Sequence, residues 1–308
     1  MRTFLESCFT GLQCAAPQRM LSRAAGTLAD CDNHWIKEAL IRTFIRIYGV
    51  DMTEAEQRDA GAYRSFNEFF TRGLAPGARP LDPDPRVVLC PADGTVCEIG
   101  EVADGRLLQA KGQYYALEDL LGGAPERARG FADGCFATIY LAPRNYHRVH
   151  MPIGGRLREA VYLPGRLFSV NPVTARRVPR LFARNERMVA LFDTALGPMA
   201  VVMVGAMLVS GIEVVWADAR TRARETSIVR SFAGAKLCLE RGAELGRFRF
   251  GSTVIVAFPA NAVRWSETLA AGSPVRMGQA IGTTSQRVDG DASRSDEPQR
   301  GAGRGSPA

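Results

Sequence analysis

Apolar positions in the first fifty residues recur at helical spacing. Leu5, Cys8, Phe9 and Leu12 form one stripe. Met20, Leu21, Ala24, Ala25 and Leu28 form a second, and Ile36, Leu40, Phe44 and Tyr48 a third. Arg19 and Arg23 lie off the second stripe, Lys37, Arg42 and Arg46 stand among the third, and Gly49 is a natural stop. One such helix would be expected to pack on a main domain. Three in succession, with arginine beside the apolar face, point equally to an interfacial membrane anchor. Ser65-Phe66-Asn67-Glu68 predicts a capping box opening a short helix packed through Phe66, Phe69 and Phe70. The turn-rich stretch from Pro76 to Pro85 marks the boundary of this region.

From residue 86 the pattern changes to short apolar runs punctuated by Gly and Pro, which predict strands at 87–90, 95–99, 136–141, 157–163, 188–193, 199–204, 212–216, 236–239 and 253–258. Short helical turns are expected at 117–121 and near 178–184. The alternation is not βαβ, so the expected class is α+β: N-terminal amphipathic helices, then a β-rich, mostly antiparallel main domain. The chain divides into a helical region, the candidate membrane-associating part, at 1–75, a β-rich main domain at 76–284 and a tail at 285–308 whose composition predicts disorder.

Composition narrows the function. With 46% hydrophobic and 23% charged residues, the 308-residue chain is an ordinary globular sequence, and no apolar stretch is long enough for a polytopic membrane protein. A net charge of +7 favours anionic partners such as nucleic acid, phosphate groups or an acidic membrane. The seven cysteines are irregularly spaced with no CxxC pair, and no signal-like segment precedes them, which predicts a reducing cytoplasm.

Three segments offer chemistry. His147 and His150 fall in Tyr146-His147-Arg148-Val149-His150-Met151-Pro152, expected to be a turn or short helix at a strand end. They lack a third ligand nearby, so no metal is predicted. Satisfied loop histidines and general acid–base groups both remain open. Asp93, in Pro91-Ala92-Asp93-Gly94, is either a plain turn residue or a carboxylate that orients an imidazole. Gly251-Ser252-Thr253 lies between strand-like flanks. It is either a β-bulge or a serine placed to attack its own preceding carbonyl, with glycine relieving a crowded geometry there.

Taken together, these segments resemble the bacterial phosphatidylserine decarboxylase proenzymes, along with Tyr63-Arg64-Ser65-Phe66-Asn67-Glu68-Phe69-Phe70, Gly165-Arg166-Leu167-Phe168-Ser169-Val170-Asn171-Pro172 and Leu181-Phe182-Ala183-Arg184-Asn185-Glu186-Arg187. The resemblance runs to about Thr284. Phe250 departs from it, where the family commonly has Leu.

The resemblance implies a self-cleavage triad of Asp93, His150 and Ser252, with the cut between Gly251 and Ser252. Ser252 becomes a covalent pyruvoyl cofactor that forms a Schiff base with phosphatidylserine, releases carbon dioxide and yields phosphatidylethanolamine. It also implies that His147 assists decarboxylation or protonation. The enzyme is expected as a homodimer held peripherally on the cytoplasmic face of the inner membrane, each protomer a β chain (1–251) plus an α chain (252–308). Arg166, Arg184 and Arg187 are candidates for the substrate phosphate. The rivals are a serine hydrolase using Asp93, His150 and Ser252, a pyruvoyl decarboxylase of a soluble amino acid, and a non-catalytic lipid- or nucleic-acid-binding module.

Overall fold

The computed structural model describes residues 13, 17–110, 112–207, 211–217, 226–249 and 251–285. The expected stripe at Leu5–Leu12, Phe250 and the tail beyond residue 285 lie outside them.

The N-terminal part is built on helices α1 (Gln18–Ala29), α2 (His34–Tyr48) and α3 (Phe66–Phe70). Asn33 caps α2 by accepting from the Trp35 and Ile36 amides at 3.1 and 3.3 Å, and Gly49 ends it at φ 64°, a conformation that costs glycine little. The Ser65 hydroxyl accepts from the Glu68 amide at 3.2 Å, as a capping box requires. The return arm differs: the Glu68 carboxylate takes the Arg64 amide instead of that of Ser65.

The α2 stripe is corrected by one position. Lys37, Ile41 and Phe44 face inward, and Ile36 and Tyr48 are exposed. Phe44 joins Tyr63, Phe66, Phe69 and Phe70 in a small aromatic core. Lys37 survives burial because its ammonium donates to the Gly61 and Tyr63 carbonyls. Helix α1 is inverted relative to an ordinary surface helix. Gln18 and Ser22 are buried, while Met20 (70% exposed), Leu21 and Leu28 face outward.

The rest of the described chain is dominated by one antiparallel sheet. From edge to edge it runs β11 (Ile228–Ser231), β7 (Gly155–Leu163), β8 (Arg187–Thr194), β9 (Gly197–Gly205), β14 (Ser252–Phe258), β5 (Cys135–Leu141), β2 (Gly94–Glu101) and β16 (Pro274–Val275), with β12 (Cys238–Leu239) also on β7. Smaller sheets join β10 (Ile212–Val214), β13 (Glu244–Phe248) and β6 (Arg148–His150); β1 (Val87–Leu89), β17 (Ala280–Thr284) and β15 (Val263–Trp265); and β3 (Arg106–Ala110) with β4 (Gln113–Ala116).

Strand β14 is buried along its whole length because both faces of the sheet are covered. Val254, Val256 and Phe258 pack with Val149, Leu245 and Phe248 on one side. Ile255 and Ala257 pack on the other with Phe136, Leu181 and Phe182. Each such buried aliphatic or aromatic side chain contributes about 1.5–3 kcal/mol, so the centre of the sheet is a rigid base for what lies at its end. Two expectations change here. The segment around His150 is a strand instead of a turn or helix. The run on either side of Gly251 is not one bulged strand: β13 and β14 belong to different sheets, and residues 249–251 carry the chain between them.

Candidate active site

Ser252 opens β14, paired with Leu141 of β5 on one side and Gly205 of β9 on the other. It is fully buried, and its hydroxyl has no hydrogen-bond partner among the described residues. The neighbouring Thr253 hydroxyl is equally unpartnered. A Cβ built on Gly251 meets nothing within 4 Å among the described residues beyond its chain neighbours, so open space lies on that side of the glycine.

His147 approaches the same strand end from the β5–β6 connection. Its Nε2 is 3.1 Å from the carbonyl of Ala142, the residue after Leu141. A carbonyl only accepts, so the proton sits on Nε2 and Nδ1 carries a lone pair, for which there is no partner among the described residues. The ring is fully buried and stacked on Phe70, centroids 4.0 Å apart. Burial, with the nearby Arg72 charge, pushes its pKa down to about 3.

His150 lies on β6 opposite Glu244, its amide donating to the Pro91 carbonyl at 2.8 Å. Its Nδ1 meets the Gly242 carbonyl at 2.8 Å, which places the proton there and makes Nε2 the acceptor of the Tyr146 hydroxyl at 3.0 Å. Burial lowers its pKa, while the Gly242 carbonyl, Glu244 and Asp93 act in the opposite direction. Both histidines are therefore neutral bases with defined tautomers.

Asp93 precedes β2 and is buried. Its carboxylate is turned to Arg79 and to the Met277 amide, 2.8 Å from Oδ1. Among the described residues no hydrogen bond joins Asp93 to His150; the carboxylate acts on the imidazole through space. Arg79 is clamped in turn by Glu54 at 2.7 Å. Arg79 and Tyr146 were not singled out from the sequence. Tyr146 sits inside the His147–His150 segment, but Arg79 is one arginine among many.

The loop at 165–171 is held over the same strand end. Gly165 passes so close to residues 184–186 that a Cβ would fall 2.5 Å from their backbone. The Asn185 side chain accepts from the Phe168 amide and donates to the carbonyls of Phe168 and Gly205, the latter the ladder partner of Ser252. Gln18 and Gln13 accept from the Leu167 and Ser169 amides at 2.9 and 2.8 Å, tying the N-terminal segment to this loop.

Of the three arginines, Arg166 and Arg184 are exposed, with the Arg184 guanidinium over the Phe168 ring at 5.1 Å. Arg187 is buried and directs four of its five N–H groups to the carbonyls of Leu120, Asp119, Ala183 and Asn185, so it serves the fold first.

A family model described as phosphatidylserine decarboxylase matches residues 66–283, and one described as PSD matches residues 8–49. The chain belongs to the phosphatidylserine decarboxylase family. Asp93, both histidines and Ser252 all fall within the longer match. Within the phosphatidylserine decarboxylases, the chain is 56% identical over 269 residues to the phosphatidylserine decarboxylase proenzyme of Pseudomonas fluorescens, covering 86% of this chain and 93% of that one. It is 54% identical over 281 residues to the proenzyme of the same name from Bordetella pertussis, covering 90% and 95%. No helix among the described residues of this family member is long and apolar enough to cross a membrane.

Proposed function

We propose that the protein is a phosphatidylserine decarboxylase that matures by cutting its own chain between Gly251 and Ser252 to make a pyruvoyl cofactor. Family membership and relatives named as proenzymes support the activity. One observation carries the self-cleavage: the Ser252 hydroxyl is buried without a partner among the described residues. Leaving a hydroxyl so costs about 1–3 kcal/mol, and attack on the Gly251 carbonyl closes an unstrained five-membered ring, which attack on the serine's own carbonyl does not.

In this reading Ser252 Oγ attacks the Gly251 carbonyl carbon while its proton passes to His150 Nε2, which the Tyr146 hydroxyl must first release, and the Asp93 charge steadies the imidazolium. The amide becomes an ester. Loss of the Ser252 Cα proton then expels the Gly251 carboxylate and leaves dehydroalanine. Water releases ammonia from it, and a pyruvoyl group remains at the new N-terminus. The products are a β chain of residues 1–251 and an α chain of residues 252–308.

The surroundings suit such a group: a buried strand end, with an unprotonated His147 nitrogen beside the strand that neighbours Ser252. Once formed, the pyruvoyl carbonyl supplies the electron sink for the pair left behind as carbon dioxide departs. The residues of the chain do the rest. The β5, β9 and β14 strand ends exclude water, and His147, held neutral, is the group suited to hold or deliver a proton at the substrate's α carbon. Arg166 and Arg184 remain open to the lipid phosphate.

The outward apolar face of α1 and the net charge of +7 support peripheral attachment to the cytoplasmic face of the inner membrane. A homodimer of such two-chain protomers completes the reading.

A denaturing gel with intact-mass analysis of purified protein tests it. The expected result is two fragments divided at Gly251–Ser252, the smaller one lacking a free N-terminal amine. A single intact chain in folded protein would overturn self-cleavage and favour a serine hydrolase.

A further inference from the structure

The tautomer of His150 leaves the ring one basic atom, and that atom is occupied. Nδ1 gives its proton to the Gly242 carbonyl at 2.8 Å, so only Nε2 can take a proton from Ser252. Nε2 already accepts from the Tyr146 hydroxyl at 3.0 Å. Tyr146 is buried, its ring tilted 32° to the imidazole with centroids 5.7 Å apart. Burial pushes the phenol up to about 12, so it remains a donor through neutral pH. The Ser252 hydroxyl, in contrast, has no partner among the described residues. The uncut chain thus holds nucleophile and base, but its base is turned to a different hydroxyl.

We propose that Tyr146 is a positioning residue that holds His150 Nε2 off Ser252 and so limits the rate of self-cleavage; the proposal deepens the cleavage reading above and rests on it. The lone pair must leave the Tyr146 hydroxyl before it takes the serine proton, and that exchange adds to the barrier. The bonds of the step are otherwise unchanged. The Ser252 Oγ–H bond breaks, its proton goes to Nε2, and Oγ bonds to the Gly251 carbonyl carbon. The released phenol is not stranded. Arg72, buried just after α3, lies within electrostatic reach of Tyr146, and its Nε and Nη1 have no partner among the described residues. A guanidinium N–H can donate to the phenol oxygen.

Removing the hydroxyl has opposite effects in the rival roles. A tyrosine that relayed the serine proton would be required, and its loss would slow the cut. A tyrosine that only filled space would be replaced by phenylalanine without effect. A hydroxyl that occupies the base slows the cut, so its loss speeds it.

The full-length chain is made by cell-free translation with labelled methionine, and release of the α chain, which carries Met277, is followed after synthesis is stopped. Above neutral pH, Tyr146→Phe should cleave about two- to tenfold faster than wild type, the effect of one lost neutral hydrogen bond. Losing a donor to the neutral ring also raises the pKa of His150. The acid limb of the rate should therefore move to higher pH even as the plateau rises. The charged groups that reach this pair are Asp93 before β2, Arg148 on β6, Glu244 and Arg247 on β13, and Arg72. They are the same in both proteins, so the difference reports the hydroxyl. Cleavage at or below the wild-type rate would overturn the proposal.

A second measurement avoids cleavage altogether. The chain has three histidines, His34, His147 and His150, which suits an NMR titration of the Ser252→Ala protein. His150 should titrate at higher pH when Tyr146→Phe is added, and an unmoved midpoint would overturn the proposal. Failure of the cleavage reading looks different: wild type and Tyr146→Phe would both stay uncut at every pH, and the proposed role would fall with that reading. Wild type that cuts, beside a variant that cuts no faster, sinks the role of Tyr146 alone.

Discussion

Arg79 grips Asp93 through both carboxylate oxygens, its Nε 2.9 Å from Oδ1 and its Nη2 2.5 Å from Oδ2. Both side chains are almost wholly buried, at 5% and 7% exposure. Pairing with Asp93 and Glu54 raises the arginine's pKa, so the cation is permanent. Removing one partner of a buried pair strands the other charge, at a cost of about 3–5 kcal/mol. Arg79→Gln is therefore expected to lower the unfolding free energy by about that amount. It should also slow self-cleavage, because the carboxylate beside His150 loses its fixed position. A time course on denaturing gels, with urea unfolding of the same samples, checks both. Cleavage at the wild-type rate would remove Arg79 from the machinery.

The two histidines are expected to separate by function. His150→Gln should leave a single uncut chain, as should Ser252→Ala. His147→Gln should yield both fragments but decarboxylate at least about a hundredfold more slowly, the usual contribution of a positioned acid–base group. Fragment pattern and released carbon dioxide read the two effects independently. An uncut His147→Gln protein would sink the division of labour.

The depressed pKa of His147 has a consequence for stability. The group titrates near 6.5 when unperturbed and near 3 when folded. Above about pH 6.5 both states are neutral and the group adds no pH dependence. Below it the unfolded chain binds a proton that the folded chain refuses, so stability falls by up to about 1.4 kcal/mol per pH unit until about pH 3. His150, also lowered, adds in the same direction. The uncut Ser252→Ala chain suits the measurement. Its urea midpoint should drop from pH 7 to pH 5, and adding His147→Phe, which keeps a ring against Phe70, should remove a measurable part of that drop. An identical drop with and without His147 would refute the assignment.

Legibility in the sequence followed burial. The central strands β5, β8, β9 and β14 were readable because both faces of the sheet are covered and their residues form near-continuous apolar runs. β6 was misread because three residues between polar and Pro-rich flanks carry no period. β3 and β4 were missed because their hairpin has too few alternations to stand out. At the site, Asp93, His147, His150 and Ser252 could be named from residue types and from the family resemblance. The charge that holds Asp93, the hydroxyl that caps His150 and the unpartnered guanidinium of Arg72 are facts of burial and geometry. In a chain whose basic residues are nearly all arginine, nothing in the sequence marks Arg72 and Arg79 as the buried ones.

Helix α1 buries its polar side and turns Met20, Leu21 and Leu28 outward, and α2 adds Trp35 at 81% and Ile47 at 68% exposure. Such a surface is poorly explained by folding, since its burial would have been available by rotating α1 about its axis. The hydrogen bonds from the Leu167 and Ser169 amides to Gln18 and Gln13 fix the opposite orientation. If the outward face meets the lipid interface, inserting one large side chain contributes about 1.5–3 kcal/mol, which is about a tenfold change or more in partition. Ile47→Glu and Trp35→Ser should each reduce flotation with anionic vesicles by about that factor while self-cleavage, read on the same gel, proceeds normally. Turnover of a short-chain soluble phosphatidylserine should fall much less than turnover of vesicle-borne substrate. Flotation equal to wild type in the double variant would mean that this face meets something other than a membrane.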